Sequence, residues 1–311
     1  MSTDADVPKA TALGALPLVG AGGEPVDLRR TLTSHGVAAL PPANIDETTW
    51  TLDVTLPLPR RGARTLRVEP DDTAKARIGM LGDPVGDAAR EHLLARLRHM
   101  FRLDEDLSGF YVVARDDAQL AWAVTGAGRM LRSPTVFEDV IKTICTTNCA
   151  WSATVRMVTA LVDHLGEQAP TGAHAFPSPA AIADAPEEFF RDVARTGYRG
   201  RYLQTLAGDV ASGTLDLEAL NDPELPVEEV ERRLLALPGV GPYAAAHVML
   251  TSLGRYSRLV LDSWTRPTYA KLNGRKASDK TIQRRFRRYG DFAGLAFWLL
   301  LTRSWVPDSD T

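Results

Sequence analysis

Cysteine is scarce in this 311-residue chain, which contains only Cys145 and Cys149. Two cysteines exclude a disulfide framework, and they exclude an iron–sulfur cluster, which needs about four thiolate ligands. Long apolar runs are also missing, because no stretch reaches the roughly 18 residues of a membrane helix. The acidic N-terminal residues 1–8 lack the basic and then apolar pattern of a secretion signal. We therefore expect a cytoplasmic protein with no membrane partner.

The chain has no net positive charge, but its cations are concentrated in one segment. The formal net charge is −3, which argues weakly against a polyanionic partner. Residues 239–290, however, contain eleven Lys and Arg but only two Asp, so this segment carries +9 and the remainder −12. Such asymmetry lets one face attract phosphates while the molecule stays soluble. The alternative is a solvated helix face at residues 280–288.

The length and the order of patterns predict an α+β protein. At 311 residues, with 44% hydrophobic and 24% charged residues, the chain can form two or three globular units. Residues 1–24, rich in Ala, Gly and Asp, are interpreted as a flexible leader. An N-terminal domain with an antiparallel β-sheet is expected over residues 25–130, and a helical region over 131–311.

Periodicity supports this division. Trp50, Leu52, Val54 and Leu56 alternate with polar residues, which is typical of a half-buried strand. Residues 65–68 and 109–114 are further strand candidates, and residues 88–101 are predicted to form a helix. Thr135 and Glu138 have the spacing of a capping box, which predicts the start of a further helix. Three more helices are predicted, one over residues 180–194, one that ends near residue 236, and one over residues 243–253. Gly254 is the predicted C-cap of the last of these.

A short glycine-rich turn joins the two helices around residue 240. Two glycines allow positive φ and a close approach of another backbone. Because a helix starts directly after the turn, its free N–H groups and those of the turn form a seat for phosphate. A plain helical hairpin is the alternative. The residues of the turn are Leu237, Pro238, Gly239, Val240, Gly241, Pro242 and Tyr243.

These residues resemble the hairpin of the helix-hairpin-helix DNA glycosylase superfamily. The family places an aspartate about twenty residues past the hairpin, after a short apolar run, and Asp262 after residues 259–261 (LVL) matches it. Residues 137–151 resemble the helix and loop that enter the DNA minor groove, and residues 197–202 (GYRGRY) resemble a further family segment. The layout is most similar to that of 8-oxoguanine and 3-methyladenine DNA glycosylases.

One departure from the family pattern implies a subclass. Members that also cleave the strand carry a lysine two residues after the last hairpin glycine, and this chain has Tyr243 there. A phenol cannot form a Schiff base with the sugar. The resemblance therefore implies a monofunctional enzyme that uses water as the nucleophile. A displaced lysine, either Lys142 or Lys271, remains an alternative.

The resemblance also assigns roles to single residues. Asp262 takes the catalytic position, where a carboxylate stabilises the positively charged sugar and orients water; from its sequence alone it could equally be a helix N-cap. Asn148 is expected to fill the space left by the flipped nucleotide, or else to be a C-cap. The base pocket is expected to contain Tyr243, Cys145 and Trp151, and further DNA contacts are expected from Arg266 and Lys271.

No cofactor is required by this interpretation. Family members often hold a monovalent cation on hairpin carbonyls, here those of Leu237 and Val240, whereas the scattered histidines lack the spacing of a transition-metal site. The expected partner is double-stranded DNA with a damaged base, bound by a monomer. An alkylated or oxidised purine is favoured by the N-terminal domain. Tyr243 points instead to a mismatched uracil or thymine, and a non-catalytic DNA-binding protein is the third possibility.

Overall fold

An antiparallel sheet followed by a bundle of helices makes up the protein. The computed structural model describes residues 10–59, 61–71 and 74–307. Every pair of neighbouring strands is antiparallel, in the order β1-β5-β4-β3-β2. The α+β class is confirmed. The strands are β1 (Ala10–Pro17), β2 (Ala43–Asp46), β3 (Thr51–Leu58), β4 (Gly62–Asp71) and β5 (Lys75–Leu81).

The alternating pattern correctly predicted the central strand β3. Leu52, Val54 and Leu56 are buried, and Leu52 lies opposite Val68 of β4, so residues 65–68 form a strand as expected. On the other face Asp53 accepts two short hydrogen bonds from Arg67. A half-buried sheet with one apolar and one polar face is the physical consequence of that period.

The prediction of a flexible leader is wrong from residue 10 onward, while residues 1–9 lie outside the described part of the chain. Strand β1 pairs with β5, and its Leu13 and Leu16 are buried in the core of the sheet. Glu24 is buried as well and pairs with Arg129. The Ala- and Gly-rich composition hid this strand, because small residues are needed where Ala10 packs directly against Gly79.

Residues 109–114 form a helix, so the strand prediction for them is also wrong. Helix α3 (Ser108–Arg115) buries Phe110, Tyr111 and Ala114, while the two valines between them are exposed. That spacing is helical, and the β-branched valines gave a misleading strand signal. The buried residues of α3 share one hydrophobic cluster with the C-terminal helices, so this segment packs with the helical region.

The helical region follows the predicted pattern with one shortened element. The predicted helix over 180–194 ends early, at Ala183, and is followed by a π-helical turn, Phe189–Val193. The helices are α1 (Leu28–Leu32), α2 (Asp87–Met100), α3, α4 (Val136–Thr146), α5 (Trp151–Leu165), α6 (Pro179–Ala183), α7 (Arg199–Ala211), α8 (Val227–Leu235), α9 (Pro242–Thr251), α10 (Thr265–Leu272), α11 (Asp279–Phe286) and α12 (Ala293–Thr302). Within the described ranges, no helix has the length and apolarity needed to cross a membrane.

Two hydrophobic clusters meet at the start of α9. One contains α4, α5, α7 and α8, and the other contains α3, α11 and α12. Tyr243 packs against both of them. At the start of α4, the Oγ1 of Thr135 accepts the N–H of Glu138, as a capping residue should. The junction of the two clusters is therefore a well-packed part of the protein, and the candidate site lies at this junction.

Candidate active site

The hairpin between α8 and α9 is a tight turn with an open side. Gly239 has a φ of +80°, which favours glycine, and the N–H of Val240 closes the turn on the carbonyl of Leu237. A Cβ at Gly239 would lie 2.8 Å from the ring of Tyr202, whereas one at Gly241 would meet nothing within 4 Å. Gly241 precedes α9 without capping it by a side chain, so the first N–H groups of the helix stay available.

The side chains of the turn fix it to the core. Leu237 and Val240 are both buried in the cluster that holds α4 and α8. Their carbonyls are the pair for which a monovalent cation is predicted, and the Leu237 carbonyl already accepts one turn hydrogen bond. Among the described side chains, no group of three or more His, Cys, Asp or Glu is arranged around a metal position. The cation on the hairpin carbonyls stays a prediction.

Asp262 caps α10 with only one of its two carboxylate oxygens. Oδ1 accepts the N–H of Trp264 at 2.8 Å and that of Thr265 at 2.6 Å, and the N–H of Asp262 donates to Oγ1 of Thr265. Asp262 therefore makes the hydrogen bonds of a capping residue, although α10 itself begins only at Thr265. Oδ2 has no hydrogen-bond partner among the described residues, and the side chain is half-buried. The cap thus orients the carboxylate and leaves one oxygen for a ligand or a water molecule.

Tyr243 lies in the first turn of α9 and shares the site with Asp262. Its Oη is 3.2 Å from Oγ1 of Thr146 at the end of α4. Burial raises the pKa of the Tyr243 phenol; the bond to Thr146 opposes this, and the negative charge of Asp262 adds to it. Asp262 follows Tyr243 by nineteen residues in the sequence, yet its charge acts on the Tyr243 phenol. The hairpin and the aspartate are therefore close together in the folded protein.

Three tryptophans form a cluster that includes Trp264, two residues after Asp262. The ring of Trp264 lies 5.6 Å from that of Trp298 and 5.4 Å from that of Trp305. Trp264 and Trp305 are each more than one third exposed, so the cluster presents aromatic faces to an incoming ligand. Trp298 is fixed from behind, because its Nε1 donates to the carbonyl of Ser34 at 2.7 Å.

Two neutral histidines lie behind these rings. The ring of His247 is 5.8 Å from Tyr243, 6.3 Å from Trp298 and 5.7 Å from His35. Burial lowers the pKa of His247 to about 3 and that of His35 to about 4. Neither imidazole therefore carries charge near neutral pH. The wall beside Asp262 is aromatic and uncharged.

The other two residues predicted for the base pocket differ in position. Trp151 starts α5, is half exposed, and lies 3.3 Å from the position a Cβ would take at Gly36, next to His35. Its place in the base pocket stays a prediction. Cys145 is completely buried in the core, and burial raises the pKa of its thiol to about 12. The structure thus corrects the prediction for Cys145, which faces the core cluster around α4 and has no accessible surface.

Asn148 lies at the tip of the loop between α4 and α5. It has a φ of +47°, is exposed, and donates from Nδ2 to Oη of Tyr198. Arg199 stacks on Tyr198 and donates to the carbonyl of Thr147. Positive φ just past a helix is typical of Asn at the C′ position. The loop is thus held in shape by the segment 197–202 while the Asn148 side chain stays at the surface.

The predicted cationic contacts lie on α10. Arg266 is exposed but makes two hydrogen bonds to Asp279, at 2.8 and 2.9 Å, so its charge is largely neutralised. Lys271 is exposed near the end of the same helix. Lys142, in contrast, is buried and pairs with Glu138 at 2.6 Å. Of the lysines considered, only Lys271 is accessible to a large ligand.

Comparison with known proteins finds relatives among DNA glycosylases. No protein-family model matches the chain. It is 23% identical over 235 residues to a probable N-glycosylase/DNA lyase of Methanothermobacter thermautotrophicus, covering 68% of this chain and 74% of that protein. It is 31% identical over 198 residues to the N-glycosylase/DNA lyase OGG1 of Arabidopsis thaliana, covering 58% of this chain and 53% of that protein.

Solved structures with a similar fold are also DNA glycosylases. The 3-methyladenine DNA glycosylase from Archaeoglobus fulgidus matches with a TM-score of 0.73 and 20% identity, covering 95% of this chain and 100% of that one. The fold is thus that of a DNA glycosylase. The relatives and structural neighbours are 8-oxoguanine and 3-methyladenine glycosylases of the helix-hairpin-helix superfamily, so the predicted resemblance is confirmed.

Several residues of the site were not singled out from the sequence. Trp298 lies in α12, where apolar residues surround the helix and give no face, and Trp305 follows it in a short turn. His35 comes from the segment between β1 and β2. No motif marks these positions, because they reach the site through tertiary packing. Only Trp264, two residues after Asp262, had a position that could have drawn attention to it.

Proposed function

We propose that this protein is a monofunctional DNA glycosylase that hydrolyses the N-glycosidic bond of a flipped, damaged purine. The observation that carries this proposal is the Asp262 carboxylate, which lies near Tyr243 and keeps one oxygen without a hydrogen-bond partner among the described residues. The glycosylase relatives, and neighbours solved in complex with DNA, support a DNA substrate.

The mechanism follows from this arrangement. The amides of the hairpin and of the first turn of α9 bind a phosphate and hold the strand. The target nucleotide rotates out of the helix, and the exposed Asn148 fills the gap. As the base leaves, positive charge develops on the sugar, and the Asp262 carboxylate stabilises it. Its Oδ2 then orients the attacking water. A monovalent cation on the Leu237 and Val240 carbonyls would strengthen the phosphate seat.

The positions of the lysines support hydrolysis without strand cleavage. Tyr243 replaces the lysine that would form a Schiff base, and its phenol is bonded to Thr146. Lys142 is buried in an ion pair with Glu138. Lys271 is exposed, but it lies six residues after Thr265, about 9 Å further along the α10 axis. We therefore assign the nucleophile to water.

The wall of the site supports an alkylated purine more than an oxidised one. Alkylation at a ring nitrogen gives the purine a positive charge, and a cation is attracted to the faces of Trp and Tyr rings. Trp264, Trp298 and Trp305 provide such faces, and the neutral His247 adds no repulsion. An uncharged oxidised purine would gain only stacking from the same wall.

A mismatched uracil or thymine is the second candidate substrate. It is favoured by one observation, the Tyr243 hydroxyl, which together with Thr146 offers hydrogen bonds to the polar edge of a pyrimidine.

A panel of duplexes that each carry one lesion tests the proposal. The duplexes contain an alkylated purine, 8-oxoguanine, or a mismatched uracil or thymine, and base release is measured before and after alkaline cleavage. We expect free base from the alkylpurine duplex and strand breaks only after alkali. Release of uracil or thymine alone would favour the second candidate. Binding to abasic DNA without release of any base would identify a non-catalytic DNA-binding protein.

A further inference from the structure

An open, basic cleft lies between α10 and α11, away from the residues assigned above. It has a volume of about 630 Å³ and includes the loop that joins the two helices. Four of its lining residues are cationic and none is acidic. The lining residues are Tyr269, Asn273, Arg275, Lys276, Ala277, Ser278, Thr281, Arg284 and Arg285.

The cations of this cleft have no counter-ion in the part of the chain that the structure describes. Arg275, Lys276 and Arg284 are exposed and have no ion-pair or hydrogen-bond partner among the described residues. Asp279 is the one acidic residue in the segment 266–288, and it is bonded to Arg266 on both oxygens. A surface with this much uncompensated charge repels itself in isolation, and an anion relieves that repulsion.

Arg285 gives the cleft a fixed wall. Its Nη1 donates to Oη of Tyr269 at 2.8 Å and to Oδ1 of Asn273 at 2.6 Å, and its Nη2 donates to Oε1 of Gln119. All three acceptors are neutral, so the guanidinium keeps its full positive charge. The guanidinium lies within 6 Å of the rings of Tyr269 and Phe286. The cleft is therefore preformed rather than assembled from mobile side chains.

The cleft and Asp262 lie at opposite ends of one helix. Asp262 caps the start of α10, and the cleft contains the loop at its end. Eight residues of helix span about 12 Å. At about 3.4 Å of helix axis per phosphate on one strand, that distance is three to four phosphates along the DNA. A duplex whose nucleotide lies at Asp262 can therefore bring a backbone segment to the cleft.

We propose that this cleft binds the phosphodiester backbone of duplex DNA a few nucleotides away from the excised base. This inference rests on the proposed function, since it takes Asp262 as the position of the reacting nucleotide. The contact is with phosphate only and is independent of the lesion. It therefore strengthens binding to undamaged DNA and leaves the chemical step unchanged.

The test measures the salt dependence of binding to an undamaged duplex by fluorescence anisotropy. The full-length protein is compared with a variant carrying Lys276→Ala and Arg284→Ala. A control variant carries Arg61→Ala and Lys75→Ala, which remove the same charge from exposed positions in the N-terminal sheet region, one just before β4 and one at the start of β5. A third variant, Lys276→Arg with Arg284→Lys, exchanges the side chains and keeps the charge.

Each lost phosphate contact lowers the slope of log affinity against log salt by about 0.9. We expect the cleft variant to lose about 2 from this slope, while the control and the charge-preserving variant stay close to the wild type. A wild-type slope in the cleft variant, or an equal loss in the control, would overturn the proposal.

A second readout separates this proposal from the proposed function. Single-turnover base release at saturating enzyme is expected to be the same in the cleft variant and the wild type. A loss of the rate with no change in slope would show that the cleft acts on chemistry and would overturn the proposal. If no duplex releases a base but the slope falls as expected, the cleft is supported and the glycosylase assignment fails.

Discussion

The substitution Asp262→Asn separates the two roles of this residue. The amide oxygen of Asn can accept the N–H groups of Trp264 and Thr265 as Oδ1 of the aspartate does. The helix cap is therefore retained, and we expect a change in unfolding free energy of less than about 1 kcal/mol. The negative charge is lost, and with it the group that stabilises the developing positive charge of the sugar.

The size of the effect follows from the Coulomb energy. Two unit charges about 4 Å apart interact by about 4 kcal/mol at the effective dielectric constant near a protein surface. Since each 1.36 kcal/mol is a factor of ten, the rate of base release should fall about 10³-fold. Binding to a duplex with an abasic site should not weaken, because the hairpin and the surface cations are unchanged.

The assay is single-turnover release of base at saturating enzyme, with binding to abasic DNA measured in parallel. Asp216→Asn is the matched control, because Asp216 also accepts a helix-start N–H through Oδ1, that of Ala219, but takes no part in the site. We expect the wild-type rate in the control. An Asp262→Asn rate within tenfold of the wild type would refute the catalytic assignment.

Three further predictions concern the wall, the hairpin and the first strands. Burial lowers the pKa of His247 to about 3, so the unfolded chain binds a proton that the folded protein does not, and stability falls as pH drops below about 6.5. The free energy of unfolding lost between pH 6.5 and pH 5 should be smaller by about 2 kcal/mol in His247→Gln than in the wild type. Urea unfolding at the two pH values measures this difference. Gly241→Ala should keep stability but weaken binding to abasic DNA, whereas Gly239→Ala should also lower the melting temperature, since its φ is +80°. Glu24→Ala leaves the buried Arg129 unpaired and should cost about 3–5 kcal/mol in denaturant unfolding.

Each of these has an outcome that contradicts it. An unchanged pH dependence in His247→Gln would mean that the imidazole is not held neutral. Wild-type affinity in Gly241→Ala would show that no DNA backbone approaches the turn. A stability loss below about 1 kcal/mol in Glu24→Ala would mean that residues 10–24 are not part of the folded core.

The helical half was predictable because its signals are local. The turn around Gly239 and the apolar run before Asp262 fixed the site from a few neighbouring residues. Capping by Asp262 is predictable from the sequence, but the sequence cannot show that one of its oxygens has no hydrogen-bond partner among the described residues. That fact depends on which groups pack around the start of α10, which is a tertiary property.

The incorrect predictions share one physical cause, because tertiary packing decides these segments and local sequence does not encode it. Strand β1 was hidden because alanine and glycine are the residues that fit against Gly79. The valines of α3 suggested a strand, although the buried side of this segment repeats at helical spacing. Cys145 was assigned to an open pocket from its place near the loop, whereas the inward face of α4 buries it. Trp298 and Trp305 carry no local signal at all.

The most direct test of the central claim is a reaction of the wild-type protein with an alkylpurine duplex in the presence of borohydride. A water nucleophile oriented by Asp262 predicts that free base accumulates, that the strand stays intact until alkali is added, and that no protein becomes linked to DNA. A covalent protein–DNA adduct would contradict the account, because it would show that an amine attacks the sugar.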